Sequence, residues 1–163
     1  MAGLPGAGKS TLASELGRAL GWHVIDKDRH KEVLLRQGFD EEKAGIATYE
    51  LAFEIAHSSI IKQHASIILD SAALHAFILD TALSIVHSTP DAQLKVIFCV
   101  ADRITRAERL RNRPFQLTNI KVNPETISDY LQLFTHLPSN KLTIYTIDPL
   151  ESYLTRAINY LRA

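Results

Sequence analysis

The chain lacks a second cysteine, an excess of charge of either sign and any long apolar run. Cys99 alone excludes an internal disulfide, and its apolar neighbours predict buried packing rather than a reactive thiol. Eighteen basic residues balance eighteen acidic ones, which argues against a nucleic-acid partner, because such partners are met by a basic face. No apolar run approaches the ~20 residues of a membrane span, and no signal peptide is recognisable. We therefore expect a cytoplasmic protein without a membrane partner.

Internal repeats, low-complexity tracts and linker-like stretches are absent as well. The 163 residues, 46% of them hydrophobic, are typical of one globular domain with a sizeable core. We assign residues 1–163 to a single domain. The Asn-Lys-x-Asp signature of guanine recognition is missing, because the run Asn140–Thr143 has no aspartate at its fourth position. This argues against a GTPase.

What the chain does have is a complete phosphate-binding loop at Gly3–Ser10, which fits G-x-x-x-x-G-K-[ST] at every fixed position. The glycines allow the backbone to curl around a phosphate, Lys9 supplies a mobile point charge, and the Ser10 hydroxyl is placed to hold Mg²⁺. The alternative, a glycine-rich turn with a chance lysine, does not explain the helical run directly behind the loop. We predict ATP and Mg²⁺ as ligands, with the nucleotide held by Gly3, Pro5, Gly6, Ala7, Gly8, Lys9, Ser10 and Thr11.

A phosphate-binding loop ordinarily follows a buried strand, yet only Met1 and Ala2 precede this one. Two residues are too few for a core strand, which spans about 5–6 residues. Either the first strand is very short or the chain lacks its natural start. We favour truncation or a late start assignment, since a sheet without this strand would leave neighbouring edges unpaired.

Elsewhere helices and strands alternate, which predicts an α/β fold with βαβ units around a parallel sheet. Four apolar runs predict the strands Trp22–Ile25, Ser66–Leu69, Leu94–Val100 and Leu142–Ile147. Helices are predicted at Lys9–Leu20, Asp28–Gln37, Glu41–His64, Ala73–Val86, Arg103–Asn112, Pro124–Phe134 and Leu150–Leu161. Ligands bind beyond the carboxyl ends of the strands in an open α/β sheet. We therefore expect the aspartates after the first two strands to lie on the same rim as the loop.

Three aspartates follow these two strands. Asp26 and Asp28 come after the first, and alternate residues at a strand end can share a direction, so both carboxylates would reach one site. One would position Mg²⁺ through water, and the other would accept a proton from a substrate hydroxyl. Asp70 closes the second run in the manner of a Walker B strand, where an aspartate orients Mg²⁺ or its waters. The alternatives are helix caps, Asp28 for the helix that follows it and Asp70 for a helix near Ala72.

Five arginines lie between Arg103 and Arg113. On a helix, Arg106, Arg109 and Arg113 share one face, and arginine clamps stabilise the charge that builds up in phosphoryl transfer. Arg109 and Arg113 are the best candidates, one to stack on adenine and the other to reach the transferring phosphate. The alternative is a solvated helix face with Glu108 as partner. An aperiodic stretch follows, and we predict that residues from about 109 to 123 form a lid that closes over the nucleotide.

Together these motifs resemble the small P-loop kinases related to shikimate, gluconate and nucleoside monophosphate kinases, and above all the group known as predicted kinases. The matching segments are Gly3–Thr11, Val24–Asp28, Ile67–Asp70, Arg109–Pro114 and Ile147–Asp148. The resemblance implies a three-layer P-loop NTPase fold with strand order 2-3-1-4-5. It also implies Asp28 as the substrate-side base, Asp26 as a Mg²⁺ helper beside Ser10 and Asp70, and Arg113 as the lid arginine.

One departure concerns the acceptor. Many members of these families hold an anionic acceptor with arginines after the third strand, but no Lys or Arg occurs here between Gln63 and Leu94. A strongly anionic acceptor is therefore disfavoured, although Arg29, Lys31 and Arg36 could compensate. The main hypothesis is an ATP-dependent kinase acting on the hydroxyl of a small molecule, as a monomer or homodimer. The alternatives are an ATP-driven switch acting on a protein partner and a polynucleotide 5′-hydroxyl kinase.

Overall fold

A computed structural model describes residues 1–113 and 131–163 of the chain. Helices and parallel strands alternate in these residues, which confirms the predicted α/β class. The helices are α1 (Lys9–Leu20), α2 (Lys27–Arg36), α3 (Glu41–Gln63), α4 (Ala76–His87), α5 (Arg103–Arg111) and α6 (Leu150–Arg162). The strands are β1 (His23–Asp26), β2 (Ile67–Asp70), β3 (Ile97–Val100) and β4 (Leu142–Tyr145), and a 3-10 helix spans Leu131–Phe134.

The strands pair in two parallel couples, β1 with β2 and β3 with β4. The residues just before the phosphate-binding loop lie between the couples. Ala2 forms one parallel bridge with Phe98, and the Met1 amine donates to Leu69 O over 2.7 Å. The loop therefore starts at the carboxyl ends of β2 and β3.

Local chemistry sets most helix ends. Gly8 and Gly21 bound α1 with φ values of 78° and 69°, a left-handed conformation that glycine adopts at little cost. Aspartate side chains cap α2, α3 and α5 by accepting a backbone N–H in the first turn. Helix α4 begins at Ala76, three residues later than predicted, because Ala73 has a φ of 49°.

Other predicted boundaries also shift. Strands β3 and β4 are shorter than the apolar runs that predicted them. The predicted helix Pro124–Phe134 ends in the 3-10 helix rather than in an α-helical turn, and its residues 124–130 lie outside the described part.

The main core packs α1 and α6 against the sheet, with Leu12, Leu16, Ile97 and Ile144 fully or almost fully buried. Helix α1 lies so close to β1 that a Cβ added at Gly17 would meet Val24 Cγ2 at 2.5 Å. An apolar cavity of about 510 Å³ is lined by residues of β2, α3 and α4 and by the stretch between α4 and β3. It contains no residue of the phosphate-binding loop. None of the helices in the described ranges combines the length and apolar character that a membrane span requires.

Candidate active site

The phosphate-binding loop is pressed against the elements beneath it. Gly3, with φ 138°, would place a Cβ 2.4 Å from Cys99 O, and Gly6, with φ 78°, would place one 2.7 Å from Arg106 O. Gly8 also has a φ of 78°, and a Cβ there would lie 3.2 Å from the Thr146 side chain. These positions confirm that the loop backbone takes conformations and contacts that only glycine tolerates.

The loop leads into the N-terminal end of α1. Leu12 N–H donates to Gly8 O over 3.1 Å, so the N–H groups of Lys9, Ser10 and Thr11 precede the first intrahelical bond. Such N–H groups and the positive end of the helix dipole make an anion-binding site. This is the geometry that the sequence motif predicts.

Lys9 lies over the loop rather than moving freely above it. Its Nζ donates to Leu4 O over 3.0 Å, and the side chain is half-buried. Burial lowers the pKa of Lys9, the carboxylates of Asp70 and Asp28 act in the opposite direction, and Arg113 lowers it further. Two predicted catalytic side chains, Asp28 and Arg113, and the predicted metal-side Asp70 therefore all act electrostatically on Lys9.

The two aspartates predicted to hold Mg²⁺, Asp26 and Asp70, lie side by side at the ends of β1 and β2. Asp26 and Asp70 are register partners in this pair. Asp70 is 6% exposed, and its Oδ1 has no hydrogen-bond partner among the described residues. Burial raises the pKa of Asp70, whereas the Ser10 hydroxyl beside it and the Lys9 ammonium lower it. A buried carboxylate oxygen without a partner beside a loop serine is a suitable donor pair for a hard divalent cation.

Neither predicted capping role is found. Asp26, not Asp28, caps α2, since its Oδ1 accepts from Arg29 N–H over 3.0 Å. Asp70 caps no helix, because α4 starts at Ala76. Asp28 does not project from the strand beside Asp26, because α2 begins at Lys27 and the first helical turn places Asp28. That carboxylate is about half exposed and lies 2.9 Å from Lys27 Nζ.

The arginine face of α5 is turned toward the loop, so the interpretation of a solvated face with Glu108 as partner is wrong here. Arg106 is 1% exposed beneath Gly6, and its Nε donates to Ala101 O over 3.1 Å. Arg109 Nη1 lies 3.3 Å from Gly6 O and 3.0 Å from Thr146 Oγ1. Arg113 is half-buried. Of the predicted lid, residues 114–123 lie outside the described part.

Sequence reasoning missed two groups of side chains at this site. Thr146 follows β4 and is buried, with its hydroxyl donating to Ala7 O over 3.0 Å; no signal in the sequence distinguishes it from Thr143 in the same run. Lys27 Nζ lies 5.1 Å from the centroid of the Tyr49 ring, and this ring meets the ring of Phe77 edge to face. Nothing in their spacing indicates this, since Tyr49 and Phe77 come from different helices.

Comparisons with known proteins agree with this geometry. A family model described as "AAA domain" matches residues 1–137. A protein assigned as a kinase from Chloroflexus aurantiacus superposes with a TM-score of 0.73 at 19% identity, covering 99% of this chain and 93% of that one. A gluconokinase from Sinorhizobium meliloti superposes with a TM-score of 0.63 at 18% identity, covering 99% of this chain and 89% of that one. A sugar kinase from Janibacter sp. HTCC2649 superposes with a TM-score of 0.59 at 15% identity, covering 98% of this chain and 91% of that one.

These identities establish the fold rather than the substrate. No curated protein matches the chain. The family model spans most of the sequence, including the loop, both predicted metal carboxylates and the arginine helix. The chain therefore belongs to this AAA-domain family, and its α/β fold is that of the small P-loop kinases.

Proposed function

We propose that the protein is an ATP-dependent kinase that transfers the γ-phosphate to the hydroxyl of a small molecule. The observation that carries the proposal is the placement of the phosphate-binding loop at the start of α1, together with the buried Asp70 Oδ1, which has no partner among the described residues. A phosphoryl group held by the loop would thus face a carboxylate for the metal, and Asp28 and Arg113, whose charges act on Lys9, would supply a carboxylate for the acceptor and a second cation. Two of the similar structures are named for sugar or sugar-acid substrates, which supports a small acceptor.

The nucleotide side would be formed by the loop and the start of α1. The backbone N–H groups of Gly6, Gly8, Lys9, Ser10 and Thr11 would surround the phosphates, with Lys9 Nζ leaving Leu4 O for a phosphate oxygen. Ser10, Asp70 and Asp26 fit a divalent cation, as the unpartnered Asp70 Oδ1 indicates. When bound, Mg²⁺ neutralises the charge that develops on the transferring group. Arg109, tied to Gly6 O, would keep the loop in shape and contact the nucleotide from there.

The acceptor side would be organised by Asp28. Its carboxylate would accept the proton of the attacking hydroxyl, and Lys27, 2.9 Å away, would orient it. General-base catalysis of this kind contributes about 10²–10⁴-fold. Arg113 would stabilise the charge of the transferring phosphoryl group when the predicted lid closes. On this basis Arg113→Ala should lower kcat with little change in ATP affinity.

We also propose that the two strand couples are halves of one sheet. Residues 1–3 would form its short central strand, because the Met1 amine donates to Leu69 O in β2 and Ala2 forms a parallel bridge with Phe98 in β3. Counted with this strand first, the order would be 2-3-1-4-5, with helices on both faces.

The test is ADP release from Mg·ATP across a panel of sugars, alcohols and nucleosides. We expect one acceptor class to accelerate release strongly. Lys9→Met, which keeps the length of the side chain, should abolish this acceleration while leaving the free energy of unfolding unchanged or higher, because burial disfavours the ammonium. Asp28→Asn should lower turnover far more than ATP binding.

Acceptor-independent hydrolysis that responds only to an added protein would contradict the kinase and favour an ATP-driven switch. Wild-type turnover in Lys9→Met would remove the loop from the mechanism. Full phosphotransfer by Asp28→Asn would remove Asp28 as the base.

A further inference from the structure

Three aromatic rings form a wall on the acceptor side of the site. The rings of Tyr49 and Phe77 meet edge to face, with centroids 5.4 Å apart and an interplanar angle of 81°. His75 stacks on Phe77 at 6.0 Å and 15°. We call Tyr49, Phe77 and His75 the aromatic wall. Phe77 is 49% exposed, so a large apolar ring surface stays open to solvent.

The aromatic wall is continuous with the proposed catalytic base. Lys27 Nζ lies 2.9 Å from Asp28 Oδ1 and 5.1 Å from the centroid of the Tyr49 ring. The Tyr49 hydroxyl lies beside Ser71, which directly follows Asp70. A molecule with its hydroxyl at Asp28 would therefore have the aromatic wall next to the rest of its body.

Three of the four cations of α2 are held by carboxylates. Lys27 is paired with Asp28, Lys31 Nζ lies 3.4 Å from Glu41, and Arg36 lies 2.6 Å from Glu32. Lys31 and Arg36 are therefore engaged with carboxylates instead of compensating for the missing arginines after β2. Arg29, the fourth cation of α2, is exposed. An acid or a phosphate ester bound here would have to compete with these carboxylates for its counter-charge.

We infer that the acceptor is an uncharged alcohol that carries an aromatic ring, which packs against Tyr49 and Phe77 while the hydroxyl points to Asp28. This inference rests on the proposed function, because it takes Asp28 as the reacting end of the site. Aromatic rings gain from edge and offset stacking beyond the area that they bury. The aromatic wall thus selects for the ring, and the paired cations select against a negative charge.

The test uses probes that differ in one property at a time. Thymidine and pyridoxine are uncharged aromatic alcohols, each is matched with its 5′-phosphate, and 2-deoxyribose supplies an alcohol without an aromatic ring. Binding is measured by ligand-observed NMR with the loop saturated by a non-hydrolysable ATP analogue and Mg²⁺, and ADP release is measured separately with ATP. We expect an uncharged aromatic alcohol to bind at least about tenfold more tightly than its phosphate and than 2-deoxyribose.

Phe77→Ala should weaken the binding of that probe about tenfold without changing the KM for ATP, and Phe77→Tyr should retain it. Phe39→Ala is the matched control, because Phe39 is 47% exposed but lies in the stretch between α2 and α3 outside the aromatic wall. It should bind the probe like the wild type.

The two proposals fail in different ways. Preference for the phosphates, preference for 2-deoxyribose, absence of binding by both aromatic alcohols, or unchanged binding in Phe77→Ala would each overturn the inference. Probe binding that Phe77→Ala weakens, without any ADP release, would support the aromatic wall and contradict the kinase.

Discussion

The Arg109 guanidinium donates to both oxygen atoms of Thr146, with Nη1 3.0 Å from the hydroxyl and Nη2 2.5 Å from the main-chain carbonyl. The same hydroxyl donates to Ala7 O over 3.0 Å, and Nη1 lies 3.3 Å from Gly6 O. Helix α5 and the end of β4 therefore hold the middle of the phosphate-binding loop. The shape of the loop depends on residues more than one hundred positions away in the chain.

Thr146→Val should weaken the loop without changing the volume of the side chain. The substitution leaves Ala7 O and one guanidinium N–H without their partner, which costs about 1–3 kcal/mol when the groups are buried. We expect a lower free energy of unfolding in urea and weaker binding of a fluorescent ATP analogue. Thr146→Ser, which keeps the hydroxyl, should stay close to the wild type. Equal stability and affinity in the valine variant would show that the contact is incidental.

Gly3→Ala should destabilise the protein and impair nucleotide binding, because its Cβ would lie 2.4 Å from Cys99 O and its φ is 138°. The neighbouring group is backbone and cannot turn aside, so the loop itself has to move. Gly45→Ala is the control, since a Cβ at this α3 position meets nothing within 4 Å, and alanine in a helix gains about 1 kcal/mol over glycine. Thermal unfolding should therefore shift in opposite directions in the two variants. A Gly3→Ala protein with normal stability would contradict the close packing.

Asp26 has two assigned roles that two substitutions can separate. Asp26→Asn keeps an oxygen that can accept from Arg29 N–H, whereas Asp26→Ala loses the α2 cap at a cost of about 0.5–2 kcal/mol. If Asp26 also helps to hold Mg²⁺, both variants should need more Mg²⁺ for half-maximal turnover, but only the alanine variant should unfold at lower urea. An unchanged Mg²⁺ requirement in Asp26→Asn would leave Asp26 as a cap alone.

Asp70→Asn should stabilise the protein at neutral pH while impairing Mg²⁺-dependent turnover. Burial raises the pKa of Asp70 above its ordinary value of 3.8. Between 3.8 and the raised pKa, Asp70 is protonated in the folded protein but ionised in the unfolded chain. The free energy of unfolding therefore falls as the pH rises through this range. The free energy of unfolding of Asp70→Asn should therefore exceed that of the wild type by an amount that grows as the pH rises above 3.8. If the difference between the two free energies of unfolding is constant or shrinks as the pH rises, the pKa of Asp70 is not raised in the folded protein.

Elements whose boundaries are set locally could be predicted from the sequence. Helix α1 matches its predicted range Lys9–Leu20 because glycines at both ends adopt left-handed conformations. Helix α6 begins after Pro149, as predicted. The carboxylates of Asp26 and Asp70 come together as expected, because parallel strands carry successive carboxyl ends to one edge of a sheet.

The rest depends on contacts between distant segments. The late start of α4 follows from the backbone of Ala73, whose carbonyl lies 3.0 Å from His136 Nε2, sixty-three residues away. Arg106 gives the same sequence signal as an exposed helical arginine, yet the loop buries it. The aromatic wall joins α3 with the start of α4, and no local pattern links the two.

Cys99 lies directly beneath the loop, with its N–H donating to Ala2 O over 2.8 Å and its carbonyl under Gly3. Burial raises the pKa of its thiol to about 11, and alkylating reagents react with the thiolate. Labelling at neutral pH therefore has to wait until the strand under the loop opens. Because the chain has a single cysteine, the rate of gaining one adduct in a mass spectrum reports on opening at this one position. The protein thus contains a native reporter of the local stability of its phosphate-binding loop, which needs no engineered label.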